Sequence, residues 1–79
     1  MPGFTLEDLD NYFVYHKPTP EALPKFKKIR AAGRELARTI LMNCPQSADT
    51  TVAIRHVLSA VADANRSIAV NECPPAPDD

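Results

Sequence analysis

Tryptophan is absent from this 79-residue chain, and glycine and cysteine occur only twice each. Each scarcity removes a class of protein. Without tryptophan, and with three phenylalanines and two tyrosines, a core has few large anchors. With only Gly3 and Gly33, no glycine-rich loop is available to cradle a phosphate. Two cysteines and two histidines, at positions 16, 44, 56 and 73, lack the paired-ligand spacing of a zinc site, so neither metal nor cofactor is expected. About 22 helical residues separate Cys44 from Cys73 in the layout given below, roughly 33 Å, too far for a disulfide. Both are expected as free thiols in a reducing compartment. No apolar run is long enough to span a bilayer, and Met1 to Phe4 leads into acidic residues instead of a basic, apolar signal segment. The expectation is a cytoplasmic protein. Net charge is also nearly lacking, and at -1 the surface is poorly suited to a DNA or RNA duplex.

Proline, at eight residues, is plentiful and marks the breaks. Thr5 reads as an N-cap with Glu7 and Asp8 in the first turn of a short helix over about 6–13. Leu6, Leu9 and Phe13 share one side of it, which suits docking as a lid on longer elements. An extended connector follows from Val14 to Pro20, because Pro18 disfavours helix at Lys17. Thr19 can cap the next helix with Pro20 at its first position, while Pro24 would kink the first turn or delay the regular helix to about residue 22. This helix runs to about 42. Phe26, Ile29, Gly33, Leu36, Ala37 and Ile40 fall within an arc of about 100°, the pattern of a buried face. Gly33 in mid-helix permits close approach of another helix. Asn43 to Gln46 then forms a short break, Ser47 or Asp49 can cap a third helix over about 48–70, and so short a turn joins antiparallel neighbours. The third helix carries Ile54, Val57, Leu58, Val61, Ala64, Asn65 and Ile68 as its stripe, with Asn65 a buried amide in need of partners. The tail from 72 to 79, rich in proline, is expected to be frayed. The fold class is therefore all-α, one domain of 1–79, with a short helix and an antiparallel two-helix hairpin. So thin a core favours assembly into a homo-oligomer.

An enzyme needs a nucleophile, base or metal held by further groups. Ser47, Ser59 and Ser67 show no Ser-His-acid pattern, so no catalytic residue is assigned. Charge is distributed more tellingly than its total suggests: between Lys17 and Arg38 seven basic residues face only Glu21 and Glu35. Lys27, Arg30, Arg34 and Arg38 form a stripe beside the apolar face, where a groove could be lined; the alternative is a solvated flank. Tyr12, Phe13 and Tyr15 precede it. Bases stack on aromatic rings and phosphates take charge-assisted hydrogen bonds, so this set suits a nucleotide, with Phe13 assigned to packing. On residues alone, His16 reads as a structural hydrogen-bonding side chain.

Tyr15-His16-Lys17-Pro18, Ile29-Arg30, Glu35-Leu36-Ala37, Cys44 through Asp49, Ala53, and Ala64-Asn65 with Ile68-Ala69 together resemble the hairpin domain of phage anti-CBASS cyclic oligonucleotide sponges, related in part to anti-Thoeris sponges. The likeness covers roughly residues 13 to 70. It implies a homohexamer in the cytoplasm of an infected bacterial host. Such an assembly would sequester cyclic dinucleotides and, as in many members of the family, cyclic trinucleotides, without cleavage and so keep CBASS effectors inactive. Carried over by position, Tyr15 would stack on a base, Lys27, Arg30 and Arg34 would hold phosphates, and His16 and Lys17 would border the pocket, with Tyr12 nearby. Gly33 and Asn65 would serve the interface. Asp63 and Val70 stand where many relatives carry Trp and Arg, which points to an altered second pocket or ligand range. The competing reading is a small helical protein–protein interaction module with the basic residues as its rim.

Overall fold

Capping residues set the helix ends. The computed structural model describes residues 4–76, in which α1 spans Leu6–Phe13, α2 Leu23–Asn43 and α3 Ala48–Glu72, with no β-strand among the described residues. At α1 the Thr5 hydroxyl accepts the Asp8 N–H at 3.0 Å, and the Asp8 carboxylate accepts the Thr5 N–H at 3.1 Å, a reciprocal capping box. Before α2, Thr19 closes a separate turn by taking the Ala22 N–H on both its hydroxyl and its carbonyl. The helix then starts at Leu23 with Pro24 in its first turn, where a missing N–H breaks no bond. Ser47 caps α3 by accepting the Thr50 N–H at 3.2 Å.

The two long helices pack antiparallel, as the Lys25–Glu72 ion pair at one end and the Gly33–Val61 approach in the middle require. Phe26, Ile29, Gly33, Ala37 and Ile40 of α2 are the partly buried side of that helix; Ile54, Val57, Val61, Ala64, Asn65 and Ile68 of α3 are among those sheltered opposite. Leu36 and Leu58, expected inside these stripes, are more than half exposed. Each lies at the margin of its arc, and a two-layer hairpin covers only the centre of an apolar face.

Two further expectations are corrected. The short helix does not dock as a lid: none of its residues is buried, and Leu6 and Phe13 are each 81% exposed. The inner faces of α2 and α3 are spent on each other, and α1 is held through the Asn11 carbonyl, 2.7 Å from His16 Nε2, while the edge-on Phe4–Tyr12 ring pair, centroids 5.3 Å apart, is local to α1. The segment after α3 is not frayed over 73–76. Cys73 is buried, the Ala76 N–H donates to the Tyr15 carbonyl at 2.8 Å, and His16 forms a single antiparallel bridge with Pro75. Prolines on both sides hold the two segments extended, which lets them lie alongside each other. The rest of that tail, 77–79, lies outside the described residues. Both cysteines are free, Cys44 exposed and Cys73 buried.

Among the described residues only Ala22, Val57 and Cys73 are buried, and no large side chain is fully so. The radius of gyration, 15.8 Å, exceeds the roughly 12 Å of a compact chain of this length. Among the described residues no helix is long and apolar enough to cross a membrane.

Candidate functional site

The basic stripe of α2 forms one wall of a groove. Lys27, Arg30 and Arg34 are exposed along one flank of the helix, at spacings of three and four residues. Leu58, Val61, Ala62 and Asn65 of α3 stand opposite, and the lining is completed by Ala31, Gly33 and Ala37, enclosing an open volume of about 830 Å³. That is the size range of small-ligand sites. Gly33 sets the approach of the two walls, since a Cβ there would fall 2.4 Å from Val61 Cγ2. None of the three cations is in an ion pair among the described residues; the salt bridge present joins Lys25 to Glu72 instead. Asn65 lines the groove, and its side-chain oxygen is buried with no hydrogen-bond partner among the described residues. A buried acceptor left so costs about 1–3 kcal/mol.

The aromatic connector lies elsewhere. Tyr15 is 60% exposed, and its carbonyl is fixed by the Ala76 N–H. The His16 ring lies between two backbone carbonyls, with Nδ1 2.7 Å from the Cys73 oxygen and Nε2 2.7 Å from the Asn11 oxygen. Carbonyls only accept, so both ring nitrogens must donate, which the imidazolium does and a neutral ring does on one side only. His16 therefore carries the structural role read from the residues alone, and its nitrogens are directed at the backbone. Lys17 is exposed. Tyr12 borders a smaller hollow of about 340 Å³ with Phe4, Leu9, Phe13 and Arg66. The structure thus gathers Lys27, Arg30, Gly33, Arg34 and Asn65 around one groove, while Tyr12, Tyr15, His16 and Lys17 do not line it.

No family model, curated relative or solved structure matches this chain.

Residues with no earlier assignment complete the picture. Ala31 and Ala62 contribute small side chains to the lining, where bulkier ones would fill the groove. Their signal was the run of small residues beside each apolar stripe. Arg66 faces the aromatic hollow from α3, a position the three-and-four spacing left on the solvent side. Among the described residues no group of three His, Cys, Asp or Glu could hold a metal ion. What the groove offers is cationic charge, one carboxamide and apolar surface.

Proposed function

We propose that the protein sequesters cyclic di- and/or trinucleotides without cleaving them, as the phage sponges it resembles do, and so withholds them from CBASS effectors in the cytoplasm of an infected bacterium. The observation that carries this reading is the shared lining: three cations unpaired among the described residues, and Asn65, whose buried carboxamide oxygen is unsatisfied, line one groove. Arg and Lys meet phosphate through charge-assisted hydrogen bonds, and a base amino group is a suitable donor for Asn65. Leu58 and Ala62 supply apolar surface for the ribose and the ring. Mass action suffices for such a role, and no nucleophile is needed.

The reading includes a homo-oligomer, hexameric by the resemblance. Tyr12, Tyr15 and Lys17 stand apart from the groove of their own chain, so a second copy is the natural source of a stacking ring over it. Leu6, Phe13, Leu41, Met42 and Leu58 are all strongly exposed, apolar surface available to a second copy.

The test is a thermal melt with a panel of cyclic di- and trinucleotides, followed by chromatography of the ligand released on denaturation. Stabilisation with intact ligand supports sequestration, whereas recovered linear product means an enzyme. The exposed Leu6 and Phe13 of α1 favour one other reading, a protein–protein interaction module, under which no nucleotide shifts the melt.

A further inference from the structure

His16 makes contacts that neither the groove nor the proposed sequestration has used. Its two acceptors have something in common. Asn11 lies in the last turn of α1 and Cys73 is the C-cap of α3, so both carbonyls belong to helix C-terminal ends, where backbone oxygens lack intrahelical partners. Those ends carry the negative pole of the helix dipole, yet neither helix has a basic residue in its last turn. A doubly donating ring placed between them supplies the missing cation to both at once. Among the described residues, the charged and titratable side chains on the segments that meet there include Asp10 and Tyr12 of α1, Tyr15 and Lys17 of the connector, Lys25 of α2, and Glu72 and Cys73 at the end of α3. Lys25 and Glu72 are engaged with each other, and the two carbonyls approach the ring at 2.7 Å each.

Tyr15 immediately precedes this ring, and its own carbonyl is held by Ala76 at 2.8 Å. The connector is therefore fixed on both sides of the tyrosine's Cα while the phenol stays exposed. We propose that His16 is a positioning residue: as an imidazolium it joins the C-terminal ends of α1 and α3 and thereby sets the posture of Tyr15 for ligand binding. The role rests on the reading of Tyr15 as a base-stacking ring. It makes binding depend on a proton, because loss of that proton as pH rises removes one of the two bonds and loosens the connector.

The test combines two measurements. Long-range proton–nitrogen spectra of the His16 ring in the full chain report its protons without any ligand; both nitrogens should stay protonated above about pH 6.5, where a free imidazole titrates. Binding is then followed for whichever member of the cyclic nucleotide panel stabilises the parent most. The parent should bind more weakly as pH is raised from about 6 to 8. His16→Gln, whose amide can donate to only one of the carbonyls, should bind about threefold to tenfold more weakly at the lower pH, with helix content retained and the pH dependence flattened. A neutral ring below about pH 6.5, or a Gln variant with the parent's affinity and pH profile, overturns the proposal. If the parent binds none of the nucleotides, the function reading fails and the positioning role falls with it. A neutral ring in a protein that does bind defeats this proposal alone.

Discussion

Gly33→Ala sets two effects of similar size against each other. Helix propensity favours alanine by about 1 kcal/mol, and no glycine here has a positive φ among the described residues, so the backbone accepts the change. Packing acts in the opposite direction. The added methyl would sit 2.4 Å from Val61 Cγ2 and 3.8 Å from Val57 Cγ1, against an optimal carbon separation of roughly 3.5–4.0 Å. Val61 would have to retreat by more than about 1 Å on that scale. A β-branched side chain in a helix has one strongly preferred rotamer and cannot swing aside, so the helices must part. Overpacking of this kind costs about 1–3 kcal/mol. The net expectation is a loss of about 1 kcal/mol, which lowers the melting temperature by about 4–8 °C for a domain of this size. Circular dichroism melts at one fixed protein concentration measure it, the concentration being held because assembly would shift the midpoint. In a Val61→Ala background the obstructing methyls are gone, and the same substitution should then stabilise by about 1 kcal/mol. A higher melting temperature for Gly33→Ala in the parent would refute the close approach at this position.

Other substitutions separate site from scaffold. Arg30→Ala should weaken cyclic nucleotide binding by about tenfold or more, the worth of a charge-assisted hydrogen bond, with the helical signal unchanged; Tyr15→Ala should do likewise, and parental affinity in both by titration calorimetry would dismiss the assignment. Asn65→Leu removes the unpartnered oxygen, so the free protein should melt at the same temperature or higher while ligand affinity falls; unaltered affinity would place Asn65 outside the site. Lys25→Ala breaks an ion pair whose partners are both about half exposed, and denaturant titration should register less than about 1 kcal/mol. Thr5→Ala costs a helix cap worth about 1 kcal/mol, and because α1 buries nothing, faster amide exchange should be confined to that helix.

Helix number, type and ends were readable because caps and breakers are local. Thr5, Ser47, Pro24 and the Asn43–Gln46 break act within one turn of the chain, and the observed ends lie within about two residues of the expected ones. The α2 stripe was equally readable at its centre, from Phe26 through Ile40, since periodicity reports which side is apolar. What periodicity cannot report is how much of that side gets covered. Leu36 and Leu58 satisfy the pattern and remain exposed, as do Leu6 and Phe13, because cover depends on how many layers meet. The groove was half readable: the cations announced themselves by spacing, whereas the opposing Leu58, Ala62 and Asn65 face them only once the register of the hairpin is set by Gly33 against Val61. The clasp from His16 to Cys73 joins residues far apart in the chain, and no local pattern encodes such a meeting.

That clasp bears on the order in which the molecule comes together. The hairpin seam closes through a turn of a few residues, a small loss of chain entropy. The His16–Cys73 bond spans 57 positions and becomes cheap to close only after α2 and α3 have brought their outer ends together. Contacts of this kind form late, so weakening them should quicken unfolding while leaving the folding rate nearly untouched. The connector bearing Tyr15 is then the last part to settle and the first to let go, and its fixed posture has a lifetime shorter than that of the helices beneath it.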